Sequence, residues 1–174
     1  NILTILALLT SFLVLAQKSI TLQEIWSNQF AAKRLNSINA LQKSNQYSVL
    51  DYDKNNKSYK IDLYDFVTQK QNKTILNTND VSAFKAFSSY TFDKAEKQLL
   101  LATDLKPIYR HSFTAIYFVY DIDSKKVIKV ADYPIQEPTF SNDGSKIAYA
   151  HLNNLYVFDI ATKTHTQITT DGKI

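Results

Sequence analysis

The chain has 174 residues, of which 45% are hydrophobic and 21% charged, with a net charge of +4, which excludes a disordered tail and provides for one domain with a buried core. It has no Cys, so disulfides, thiolate metal sites and a Cys nucleophile are excluded, and its two glycines, Gly144 and Gly172, stand too far apart for a Gly-x-Ser-x-Gly elbow or a Gly-rich phosphate loop. Arginine occurs only at Arg34 and Arg110, and the lysines are scattered with Lys125-Lys126 as their longest run, so the charge reads as a solvated surface and not as a nucleic-acid stripe.

Ile2 to Ala16 is an apolar run without a charge. It is short of the roughly 20 residues a membrane span needs and suits the core of a secretory signal, with Val14-Leu15-Ala16 as a small-residue cleavage site. The expectation is an export signal over residues 1–16, truncated at its start, in a periplasmic or extracellular protein; the alternative is an uncleaved anchor over residues 2–16. Thr21-Leu22-Gln23-Glu24 has the capping-box pattern, which predicts a short helix to about Ser27, anchored by Ile20, Leu22 and Trp26. Residues 17–39 are read as this helix and a connector, and residues 40–174 as the main domain.

From Tyr47 onward the chain reads as strands and turns. Tyr47 to Leu50 and Tyr59 to Tyr64 flank Asn55-Asn56; Phe87 to Phe92 and Gln98 to Ala102 follow. Thr103 to Ser112 reads as an insertion ahead of the strand Ala115 to Tyr120. Asp143-Gly144 and Asn153-Asn154 are two-residue hairpin signals. Three segments align as copies of one strand: Lys60 to Asp65, Ile116 to Asp121 and Leu155 to Asp159, each ending in an aromatic residue followed by Asp. Each is followed by a polar turn and a closing strand, at Lys73 to Leu76, Val127 to Val130 and Thr166 to Thr169. A repeated four-stranded unit is a propeller blade. The fold class expected is therefore all-β: a partial β-propeller of about three four-stranded antiparallel blades, preceded by a signal helix and one short helix. Ile147 to Ala150 and Leu155 to Ile160 are apolar on both faces, as blades sandwiched between neighbours would be.

Asp65, Asp121 and Asp159 recur once per unit, which assigns them to turns and not to a metal site. His111, His151 and His165 are far apart and lack metal-ligand spacing; His151 shares a strand with Ile147 and Tyr149 and reads as a packed histidine. No metal and no cofactor is expected. Arg110 stands out as one of two arginines, in the segment that interrupts a blade, where a guanidinium can hold a carbonyl or carboxylate with paired hydrogen bonds. From the pattern alone a structural salt bridge is the competing reading.

Three segments resemble the N-terminal region of the dipeptidyl peptidase IV family of serine exopeptidases. They are Ile20 to Trp26, then Tyr109-Arg110-His111-Ser112-Phe113-Thr114-Ala115 with Tyr120-Asp121, then Phe140 to Tyr149 with Leu155 to Asp159. The middle segment is the specific one. Gln23-Glu24 departs slightly from the family's usual acidic pair. The resemblance implies a propeller set on an α/β-hydrolase domain, with Arg110 binding substrate by the backbone carbonyl near the peptide's N-terminal end. It implies that the catalytic Ser, Asp and His, and a Glu pair for the substrate's α-ammonium, lie beyond Ile174, so no catalytic residue is expected in this chain. The implied partners are a peptide substrate and the hydrolase domain of the same polypeptide, with a homodimer left open. The alternative is a non-catalytic periplasmic propeller serving as a protein-interaction module.

Overall fold

A computed structural model of the chain describes residues 19–27, 29–32 and 38–173. The segment read as an export signal, residues 2–16, and Arg34 lie outside the described residues. The described residues divide into two units, before and after the boundary between Leu35 and Asn36. In the first, helix α1 (Leu22–Trp26) begins as the sequence predicts. The Thr21 side chain accepts from the Glu24 N–H at 3.2 Å, and the Glu24 carboxylate accepts from the Thr21 N–H at 3.0 Å. The helix has no buried residue, and Ile20, Leu22 and Trp26 are exposed. Among the described residues no helix is long and apolar enough to cross a membrane.

The second unit is three four-stranded antiparallel sheets. The first contains β1 (Ile38–Ala40), β2 (Gln46–Asp53), β3 (Ser58–Asp65) and β4 (Gln71–Asn77). The second contains β5 (Ser89–Phe92), β6 (Gln98–Pro107), β7 (Phe113–Asp121) and β8 (Val127–Lys129). The third contains β9 (Gln136–Phe140), β10 (Lys146–His151), β11 (Asn154–Asp159) and β12 (Thr164–Gln167). Strands are adjacent in chain order within each sheet, the arrangement of a propeller blade. The three aligned sequence segments are the third strands β3, β7 and β11. Strand β1 starts inside the segment read as connector, where a three-residue strand leaves almost no periodic signal; it is held by pairing Ile38 with Val49 and Ala40 with Tyr47.

Alternation along β6 builds the core. Leu99 and Leu101 point to one side, where they pack with Ile61 and Leu63 of β3 and Phe118 and Tyr120 of β7. Leu100 and Ala102 point to the other, packing with Tyr117 and Val119 of β7, Ile147 and Tyr149 of β10, and Phe158 of β11. The second blade is thus apolar on both faces, because a period of two sends neighbouring residues to opposite sides of a sheet. The connector between the first two blades, which includes a 3-10 turn at Thr78–Asp80, adds Val81, Phe84 and Phe87 to the first of these cores. In the third blade one face is buried, by Ile147, Tyr149 and Phe158, while Leu155 is half exposed. The two-sided burial expected of β10 and β11 is therefore met by β6 and β7 instead.

The strand-end aspartates make turns. Asp65 accepts from the Val67 and Thr68 N–H groups, Asp121 from Ser124, and Asp159 from Ala161 and Thr162. Four positions beyond each lies a residue with positive φ: Gln69 (57°), Lys125 (58°) and Lys163 (58°). Asp53 and Lys57 (φ 50°) repeat the device between β2 and β3. Each carboxylate supplies local hydrogen bonds to a turn that closes through a left-handed residue without glycine. Gly144 (φ 72°) closes the β9–β10 turn, and a Cβ there would stand 2.9 Å from an Asp93 carboxylate oxygen of the second blade. Asp93 is itself buried and accepts from the backbone N–H groups of Ala95, Lys97 and Gln98.

Gly144→Ala is expected to lower unfolding free energy by about 1–2 kcal/mol, the usual cost of a left-handed L-residue, read from urea denaturation of the whole polypeptide. The turn carboxylates have a common acid response. Hydrogen bonds from Ser141 and Ser145 hold Asp143 down to about 2, and those from neighbouring turn residues hold Asp65, Asp121 and Asp159 below the usual carboxylate range. A depressed folded-state pKa stabilises the fold above the unfolded value, about 3.9, and that contribution is lost as pH falls through the folded value. Near-ultraviolet circular dichroism should therefore show the Tm falling between about pH 4 and pH 2, with a smaller fall in an Asp143→Asn variant.

Candidate functional site

The segment Thr103 to Ser112, expected as an insertion that breaks a blade, is a lengthened hairpin. Strands β6 and β7 stay paired as far as Lys106 with Thr114 and Pro107 with Phe113. The register shifts between Thr103 and Lys106, where Asp104 has φ 50°. Such a bulge bends a ribbon and increases its twist. The hairpin closes at Ser112, whose carbonyl accepts from the Ile108 and Tyr109 N–H groups at 2.9 and 3.2 Å.

Arg110 sits at this tip and is exposed, between exposed Tyr109 and His111. It makes no hydrogen bond or ion pair among the described residues, so the structural salt bridge considered from sequence has no partner there. A guanidinium held out on a two-stranded arm keeps all five N–H donors for a ligand. The base of the arm is fixed: the N–H and C=O of Ala115 exchange hydrogen bonds with those of Ile135 at 3.1 and 2.9 Å, just ahead of β9. The arm of the second blade is thereby tied to the innermost strand of the third.

The innermost strands β1, β5 and β9 border a cleft of about 620 Å³. Polar ties span it. Glu96 of the second blade accepts from the Gln42 and Lys43 N–H groups of the first. Lys94 Nζ donates to Asn142 Oδ1 of the third at 2.8 Å. The Ser48 and Tyr90 hydroxyls, 2.8 Å apart, join the first two blades. A second cavity of about 280 Å³ opens between β5 and β9 and contains Ser89, Thr91, His111, Tyr117 and Glu137 in its lining. The Tyr117 hydroxyl is pushed up to about 12 by burial and then by the Glu137 charge.

His151 and His165, far apart in sequence, meet one network of tyrosines. His151 Nδ1 donates to the Pro134 carbonyl at 3.2 Å, and its ring lies 4.1 Å from that of Tyr133. His165 Nδ1 is 2.9 Å from the Tyr149 hydroxyl, which is 3.0 Å from that of Tyr133. Burial, and then the bond to Tyr133, raises the Tyr149 pKa. His111 stands apart at the hairpin. Among the described residues no cluster of His, Cys, Asp or Glu could hold a metal. Glu137 is the residue that sequence reading passed over; the signal available was a carboxylate beside Pro138 at the start of a strand.

Residues 93–174 match the family model described as the dipeptidyl peptidase IV (DPP IV) N-terminal region. The chain superposes on a crystal structure of Porphyromonas gingivalis dipeptidyl peptidase 4 with a TM-score of 0.77 and 28% sequence identity, over 91% of this chain and 23% of that one. It is 30% identical over 105 residues to prolyl endopeptidase FAP of Homo sapiens, covering 59% of this chain and 14% of the relative. It is 32% identical over 80 residues to a probable dipeptidyl-aminopeptidase B of Sordaria macrospora, covering 44% of this chain and 9% of the relative. The chain thus spans less than a quarter of the length of these proteins.

Tyr133 and Pro134 lead into β9, and Tyr149 and His151 of β10 hold them. Tyr149→Phe removes a hydroxyl that serves both Tyr133 and His165 and should cost about 1 kcal/mol in chemical denaturation. The His165→Gln variant, which can still accept from Tyr149, should cost less.

Proposed function

We propose that this chain, which carries the N-terminal propeller region of the dipeptidyl peptidase IV family, is the propeller part of an exported serine exopeptidase that releases dipeptides from peptide N-termini. The observation that carries the reading is Arg110: exposed at the tip of a hairpin that lengthens the second blade, and without a protein partner among the described residues. The apolar segment Ile2 to Ala16 supports the export part of the proposal. The names of the relatives support the reaction class, since two of the three are dipeptidyl peptidases or aminopeptidases.

In this reading the bond-breaking groups belong to a hydrolase domain of the same polypeptide, outside this chain. The propeller forms a wall of the chamber through which a peptide reaches them. Arg110 donates paired hydrogen bonds to a backbone carbonyl near the peptide's N-terminal end and so fixes which bond faces the nucleophile. Positioning of this kind lowers the barrier by converting an encounter into an oriented complex. The bulge at Asp104 and the Ala115–Ile135 pairing set where the guanidinium stands.

In the complete polypeptide, Arg110→Ala should lose a hydrogen bond to a charged group, about 1.5–3 kcal/mol, or roughly tenfold to a hundredfold in kcat/KM on a dipeptidyl substrate. Arg110→Lys, which keeps the charge without the paired donors, should recover only part of that loss. Wild-type kcat/KM in the alanine variant would remove the substrate role from Arg110. A complete polypeptide inactive on every dipeptidyl substrate would instead favour a propeller that serves as an interaction module.

A further inference from the structure

We infer that the cavity between β5 and β9 is a subsite for a positively charged side chain near the N-terminus of a bound peptide, with Glu137 as its counter-charge. The inference rests on the peptidase reading above and names a substrate class for it.

Glu137 is held in an unusual place. It lies in strand β9 with φ 49°, a conformation that L-residues seldom adopt within a strand. The pairing of β9 with β10 slips there, from Thr139 opposite Ala148 to Gln136 opposite Ala150. A bulge of this kind re-aims a side chain that regular pleating would turn elsewhere. The Glu137 carboxylate makes no hydrogen bond or ion pair among the described residues, yet it lines the cavity of about 280 Å³. Tyr117, whose ring is buried, shares that lining and feels the Glu137 charge.

The rest of the lining has the right chemistry for a cation. Ser89 and Thr91 of β5 bring hydroxyl acceptors. Leu100, Phe113 and Pro138 offer apolar surface for a methylene stem, which long cationic side chains bury while their charged end is hydrogen-bonded. Among the described residues, no Lys or Arg lines the cavity, and His111 and Tyr117 are the ionisable groups beside Glu137. Glu137 is the one carboxylate among the described residues that line the cavity. The cavity also has the right address. The Ala115–Ile135 pairing ties the base of the Arg110 arm to the chain two residues ahead of Glu137, and His111 belongs both to the arm and to the lining. A peptide gripped by Arg110 near its N-terminus has its first side chains beside this opening.

The test is made on the complete polypeptide at pH 8, with Lys-Pro, Ala-Pro and Glu-Pro p-nitroanilides. Wild type should have a higher kcat/KM on Lys-Pro than on Ala-Pro, and lowest on Glu-Pro. Glu137→Gln should lower the Lys-Pro to Ala-Pro ratio about tenfold, with Glu137→Asp between the two. A merely structural role for Glu137 would move all three substrates together and leave the ratio unchanged, which would overturn the inference, as would a wild type that does not favour Lys-Pro. Absence of wild-type activity on all three substrates would defeat the peptidase reading itself, and the subsite with it.

Discussion

Burial of the second blade on both faces is the constraint on which the rest of this structure depends. Leu99 and Leu101 face the first blade while Leu100 and Ala102 face the third, so one ten-residue strand belongs to two cores at once. Full burial of each such leucine is worth about 1.5–3 kcal/mol, and no blade here has a core of its own. Alone, the second blade would leave both apolar faces in water, so it is stable only between neighbours. Stacking them brings β1, β5 and β9 together as the inner edges, and that convergence creates the cleft and the smaller cavity.

The same stacking explains why polar groups are found where they are. Blades in contact bring hairpin turns close, and Gly144 reaches Asp93 where a Cβ would collide with the carboxylate. Glu96 and Lys94 join hairpin turns of neighbouring blades, and Ser48 of β2 meets Tyr90 of β5. Polar ties of this kind add orientation to an apolar interface that by itself would tolerate sliding. Orientation matters most at the Arg110 arm, which is continuous with β6 and β7 and so takes its direction from the most buried sheet.

The repeat is legible in the sequence because each third strand ends in an aromatic residue and an aspartate. Asp65, Asp121 and Asp159 each cap a turn through backbone N–H groups, a local arrangement whose residues lie within a few positions of one another. His151 was legible for the same reason: its strand mates Ile147 and Tyr149 are two and four residues away, and it is half buried with a bonded Nδ1. Thr103 to Ser112 reads as an insertion that interrupts a blade, since Pro107 and the polar residues around it obscure alternation; it is paired strand that lengthens the hairpin through one bulge.

By itself the sequence determined the blade count, the turn chemistry and the identity of Arg110 as the residue to watch, since these depend on spacing and residue type along a few neighbouring positions. Only the tertiary structure decided what Arg110 is attached to and what stands beside it. The bulges at Asp104 and in β9 arise from pairing between strands, which no single strand encodes. The cavity that holds His111 and Glu137 in one lining joins residues from two blades, brought together by apolar contacts elsewhere in the interface. Chemistry that depends on local hydrogen bonds can be read along the chain; chemistry that depends on two sheets meeting must wait for the packing.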